Sequence, residues 1–182
     1  MAVLGGVLAV TLLRPAADPV LLDPRDFTGV EAVHQGKPSQ EPGWTWCNLD
    51  IAPWTSEGDP VTTLDLDHDT LATAVIADGR PDATAEEIVS TLSADASACA
   101  ESESVTLGAS IEPLTGLDDG EVGWRTTTTF GAWGEYVLVP LDDSRVLAVG
   151  FATWDDDPAV AINELVARAK AGAEQFPAHA GA

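Results

Sequence analysis

Residues 136–154 read YVLVPLDDSRVLAVGFATW, and this stretch decides the fold. Asp142-Asp143-Ser144 divides it, and short polar side chains of this kind bond their own backbone and favour a turn. The flanks are runs of Val, Leu, Ala and Phe, which predict two strands, over 136–141 and 145–154, joined as a hairpin. Valine and leucine fall on both parities of each strand, so neither face is left for water. The hairpin is therefore expected at the centre of a sheet, covered on both sides.

Working outward toward the C-terminus, Asp155-Asp156-Asp157-Pro158 reads as a helix start. Asp157 is the expected N-cap, Pro158 the first helical residue, and the acids face the positive end of the helix dipole. The stripe Ile162, Leu165, Val166, Ala169, Ala173, Phe176 keeps helical spacing, which gives about five turns before Pro177.

Toward the N-terminus, Val122, Trp124, Thr126, Thr128 and Phe130 alternate with their neighbours, as do Val105, Leu107, Ala109 and Ile111. Period two predicts strands, with Asp118-Asp119-Gly120 as the turn between them. Trp124 on the first of these runs and Trp154 at the end of the 145–154 strand are expected in the core. A helix begins at Thr84, where Glu87 three residues on completes a capping box, and its buried stripe is Ala85, Ile88, Val89, Leu92, Ala96, Cys99. Further strands are expected over 61–66 and 71–77 and around Cys47, Leu49 and Ile51. Residues 18–43, rich in Pro, Gly, Asp and Gln, read as an irregular arm docked by Val20-Leu21-Leu22 and Phe27. The fold class is α+β: an antiparallel sheet of about six to seven strands packed by two main helices, with room for a cleft.

The 182 residues, 45% of them apolar, suit one domain with a sizeable core. Thirty acidic against eight basic side chains give a net charge of −22, which excludes electrostatic attraction to nucleic acid or anionic lipid. Adaptation to salt or a high-GC genome accounts for that surplus without any functional site. Residues 2–13, AVLGGVLAVTLL, have the length of a signal-peptide core and are too short to span a bilayer. Residues 1–19 are read as a signal-peptide-like or truncated membrane segment, with a buried first strand or helix as the other reading. Residues 20–176 form the single domain and 177–182 a frayed tail. Membrane association is expected only through a segment at or upstream of the N-terminus, and no Cys follows the apolar core as a lipid anchor would need.

The chain has two cysteines, Cys47 and Cys99, without zinc spacing. A bridge between them would close a loop of about 53 residues and stabilise by about 4 kcal/mol. An exported protein favours that bridge, whereas a cytosolic one would keep two buried thiols. Asp65, Asp67 and Asp69 resemble the start of a calcium loop, but Thr70 and Ile76 stand where Gly and Glu are required, so a solvent-facing turn is expected and no metal. His34, His68 and His179 sit beside no nucleophile elbow, and no phosphate loop or cofactor motif occurs. Of the six tryptophans, Trp44, Trp46, Trp54 and Trp133 lie at strand ends or beside Gly and Pro. There an indole either lines a cleft for an apolar or sugar-like ligand or packs the ends of the sheet. Arg125 is expected to pair with an acid.

On these residues the chain resembles the actinobacterial extracytoplasmic sensor-domain proteins, the group of the PknH extracellular domain and related small lipoproteins. Leu21-Leu22 with Asp26-Phe27 is similar to that group's opening motif, and the helix ending at Cys99 is similar to theirs. Leu117 to Glu121 resembles their Gly-Asp-rich turn, and Arg145 to Phe151 their penultimate strand. The PknH extracellular domain has two disulfides where this chain has cysteines for one. The resemblance implies a sheet-and-helix cleft outside the membrane and a binding role without catalytic residues.

The function expected is therefore a non-enzymatic, extracytoplasmic ligand- or partner-binding domain of the cell envelope, secreted or tethered, with no cofactor. Its ligand is a small molecule or an envelope protein, met at Trp44, Trp46, Trp54 and Trp133. The alternatives are a secreted hydrolase or transferase using a cleft carboxylate, and a purely structural envelope protein.

Overall fold

A computed structural model describes residues 18–35, 51–78, 83–101, 110–127 and 131–178. Its strands are β1 (Val30–His34), β2 (Val61–Leu66), β3 (Thr70–Ala77), β4 (Ser110–Pro113), β5 (Val122–Thr127), β6 (Trp133–Pro140) and β7 (Val146–Thr153). Two helices accompany them among the described residues, α1 (Ala85–Glu101) and α2 (Ile162–Ala173). The strands form one antiparallel sheet in the order β1-β2-β3-β7-β6-β5-β4. The α+β class is as expected, and the 136–154 hairpin is its centre.

Alternation in that hairpin builds two cores. Val137, Val139, Leu147, Val149 and Phe151 point to one face and pack with Leu165, Val166, Ala169 and Ala173 of α2. Tyr136, Leu138, Val146 and Ala148 point to the other and pack with Ile88, Leu92 and Ala96 of α1. A hairpin apolar on both parities can only be buried in this way, with one helix on each face. The aliphatics on β6 and β7 that meet the helices are buried on both faces, and burying each contributes roughly 1.5–3 kcal/mol.

α1 begins as its capping box requires: the Thr84 N–H donates to Glu87 Oε2 at 2.8 Å, and the Glu87 N–H to Thr84 Oγ1 at 3.2 Å. α2 departs from expectation. Its N-cap is Ala161, not Asp157, and Pro158 precedes the helix by several residues. Two donors that a helix start at Asp157 would leave free are taken by side chains: Asp157 N–H by Asp155 Oδ1 at 3.4 Å, and Ala159 N–H by Thr70 Oγ1 at 3.1 Å. Burial of Val160 completes the detour. The helix is accordingly shorter than five turns, and Phe176 packs on the core from the turn beyond it.

The arm also differs from the irregular segment expected. Leu21 and Leu22 do dock, fully buried, and the chain at Leu21 passes so close to α2 that a side chain at Gly172 would meet the Leu21 carbonyl at 2.2 Å. Past Phe27, however, the arm adds β1 to the edge of β2. The expected strand at 47–51 lies outside the described residues except for Ile51, which is buried and leads into a 3-10 turn, Ala52–Trp54. The first part of the strand expected at 105–111 and the end of that expected at 122–130 also lie outside the described residues.

Candidate functional site

Trp133 opens β6 and pairs with Thr127 of β5 and Thr153 of β7, which sets it at one end of the sheet. Cross-strand neighbours on the α2 face enclose its ring. The Phe151 ring meets it edge to face, with centroids 5.2 Å apart at 81°, an arrangement the aromatic quadrupole favours. The Arg125 guanidinium lies 5.0 Å from the indole centroid. Glu135 holds that guanidinium, its Oε1 accepting from Arg125 Nε at 2.8 Å and also from Nη2. The Glu135 carboxylate is buried, so removing Arg125 would strand a charge. Arg125 thus pairs with an acid, as expected.

The indole edge of Trp133 reaches the strand exit: its Nε1–H donates to the Asp155 carbonyl at 2.8 Å. Trp154 lies beside it. It was expected in the core and is instead 64% exposed, because β7 ends at Thr153. The Thr153 hydroxyl donates to the His68 carbonyl at 2.8 Å and accepts from the Asp155 N–H, which turns the chain out of the ladder before residue 154 can follow its alternation. Asp155 Oδ2 then meets His68 Nδ1 at 3.3 Å. The Asp157 N–H, and after it this His68 contact, hold the Asp155 carboxyl below the usual carboxylate range.

His68 belongs to the β2–β3 turn, where it and Asp69 take left-handed backbone angles, φ 62° and 47°. Asp and His tolerate that region better than most side chains. Asp65, Asp67 and Asp69 are thus strand-end and turn residues, with Asp67 and Asp69 facing solvent. Among the described residues no group of three or more His, Cys, Asp and Glu is arranged to hold a metal. The tip of the sheet therefore offers two indoles, one half-buried and one open, beside exposed carboxylates.

The other expected site residues are not gathered there. Trp54 is half-buried and packs against the α1-face core, on the opposite face of the sheet from Trp133. Trp44, Trp46 and Cys47 lie outside the described residues. Cys99 is half-buried late in α1 and is not a free thiol.

Among the described residues, clefts lie elsewhere. One of about 560 Å³ runs between α2 and the β4–β5 loop, lined by Gly116, Leu117, Asn163, Ala167 and Lys170 among others. Lys170 closes one side through Glu121 at 2.6 Å and Asp118 at 3.1 Å, and these two acids raise its pKa in that order. A smaller cleft of about 250 Å³ lies beside Arg145 and Phe176. Neither was legible in the sequence, since each joins residues far apart in the chain. No described helix is long and apolar enough to cross a membrane.

These features define a helix–sheet–helix antiparallel domain with an aromatic, acid-bordered tip. The chain is similar in fold to the crystal structure of the extracellular domain of PknH from Mycobacterium tuberculosis. The TM-score is 0.46 and the sequence identity 12%, over 79% of this chain and 78% of that one. No protein-family model and no curated protein sequence matches the chain.

Proposed function

We propose that this chain is a non-enzymatic, extracytoplasmic domain of the cell envelope that binds a ligand or partner, in the manner of a sensor domain, through the sheet tip at Trp133 and Trp154. The observation that carries the reading is Trp154: a large indole 64% exposed on a backbone tied down on both sides by Thr153 and Asp155. Large side chains held open on a fixed segment supply contact area at low entropic cost. The extracytoplasmic part of the reading rests on the signal-like residues 2–13 and on Cys99, which we pair with Cys47; intact mass with and without reductant should differ by two hydrogen atoms.

The binding reading is tested by intrinsic fluorescence titration of fractionated envelope glycans and proteins against wild type, Trp133→Ala, Trp154→Ala and Trp54→Ala. The two tip variants should weaken a saturable interaction by about tenfold or more, the loss expected of a contact hot spot, while Trp54→Ala should leave it intact. Loss in Trp54→Ala alone would move the site to the α1 face and overturn the assignment.

A further inference from the structure

Resting on that reading of the tip, we infer that its partner is a protein segment rich in arginine or lysine, docked on the face of the Trp154 indole. The indole locates the contact. Its neighbours are held in place: the Asp155 carbonyl by Trp133 Nε1–H at 2.8 Å, and the Asp155 N–H by Thr153 Oγ1 at 3.0 Å. Of the large apolar side chains among the described residues, only Val33 and Trp154 are exposed, and Trp154 is the more so, 64% against 42%. Nothing in the packing of the sheet explains why an indole stands there.

Charge then fixes the sign of what it meets. An indole face is the negative pole of the ring quadrupole and attracts guanidinium and ammonium groups within about 6 Å. The exposed side chains of Asp155, Asp156 and Asp157 follow it directly, and the His68–Asp155 contact brings the turn bearing Asp67 and Asp69 alongside. The Arg125 guanidinium beside Trp133 is already held by Glu135 and the Trp133 ring. An anionic partner would meet a chain of net charge −22, and a second copy of the chain would meet the same repulsion. The indole lines neither of the two clefts, and such an open face suits a side chain presented by a partner better than a small molecule that must be enclosed.

Hexa-arginine, titrated calorimetrically into the full chain, is the direct probe, since the readout survives removal of any one of the six tryptophans. Saturable binding at about 50 mM salt should weaken markedly near 500 mM, where charge attraction is screened. Trp154→Ala should lower affinity roughly three- to tenfold at low salt, as loss of a cation–π contact does, and Trp154→Phe should recover part of it. Asp156→Asn with Asp157→Asn should reduce affinity without altering the Phe rescue. Equal binding by wild type and Trp154→Ala would show that only the diffuse field of the chain attracts the peptide, and would overturn the inference. No binding of hexa-arginine, or tighter Trp154-dependent binding of a neutral oligosaccharide or hexaglutamate, would also overturn it. The oligosaccharide result would leave the tip as a binding surface with a different partner, whereas failure of the whole reading would show as indifference of every envelope component to the tip variants.

Discussion

Trp124 and Trp154 share one kind of sequence context and meet opposite fates. Both lie on strand patterns that predict burial, Trp124 on a period-two run and Trp154 at the end of the apolar hairpin. Trp124 sits inside β5, paired with Pro113 on one side and Tyr136 on the other, and is 9% exposed in the α1-face core. Trp154 stands one residue past β7 and is open. Alternation reports the side a residue faces only while the hydrogen-bonded ladder continues, so the residue after the last rung is free to serve something other than the fold. Contact residues are therefore worth seeking where a strand pattern runs one residue beyond its strand.

The comparison breaks first if Trp124 is dispensable. Trp124→Ala should cost about 3–5 kcal/mol, the range for truncating a large buried aromatic, measured by urea unfolding with an unchanged slope. A cost below about 1 kcal/mol would mean that the α1 face collapses around the gap, and the contrast between the two indoles would lose its meaning.

A smaller loss is expected from Gly150→Ala, three residues from the end of β7. The Tyr136 ring lies close to Gly150, and an added Cβ would stand 2.3 Å from its Cδ1 and 2.8 Å from the Glu135 carbonyl. Relieving that overlap should cost about 1–3 kcal/mol. Tyr136 itself reports the result, because it is the single tyrosine of the chain and burial pushes its phenol well above the ordinary value. The folded state thus holds this proton more tightly than the unfolded chain does. The stability it confers is complete below the unfolded pKa of about 10 and is lost as pH rises above that toward the folded value. In wild type, phenolate absorbance should appear only with alkaline unfolding; in Gly150→Ala it should appear at lower pH. Early ionisation in wild type would show that the ring is not sealed.

Most of the architecture was legible in the sequence because it is written in local periodicity and caps. The central hairpin, the stripes of α1 and α2 and the Thr84–Glu87 box each need only residues within a few positions of one another. β1 was not legible: Val30–His34 carries little alternation and becomes a strand by pairing with the edge of β2. The delayed start of α2 was equally hidden, since the hydroxyl that takes the Ala159 N–H belongs to Thr70, 89 positions away. Of the site, Trp133 could be singled out for its neighbours in sequence. Its partners Arg125, Phe151 and Asp155 come from β5, β7 and the segment after β7, and the opening of Trp154 depends on a bond from Thr153 to the carbonyl of His68.

The smallest effect expected is on the fold from Trp154→Ala, and it is the one that sharpens the contrast most. With 64% of the residue exposed, truncation removes little buried area, and the bonds that fix the segment come from Thr153, the Asp155 backbone and Trp133 rather than from the indole of Trp154 itself. Thermal or urea unfolding should therefore place the variant within about 0.5 kcal/mol of wild type, as for other surface substitutions. Paired with the large cost of Trp124→Ala, that result would separate an indole kept for packing from one kept for contact, two residues that sequence periodicity treats alike. A loss of 2 kcal/mol or more, on the scale of about a buried Leu truncation, would show that Trp154 closes over the core in solution, and the tip would have to be redrawn around Trp133 alone.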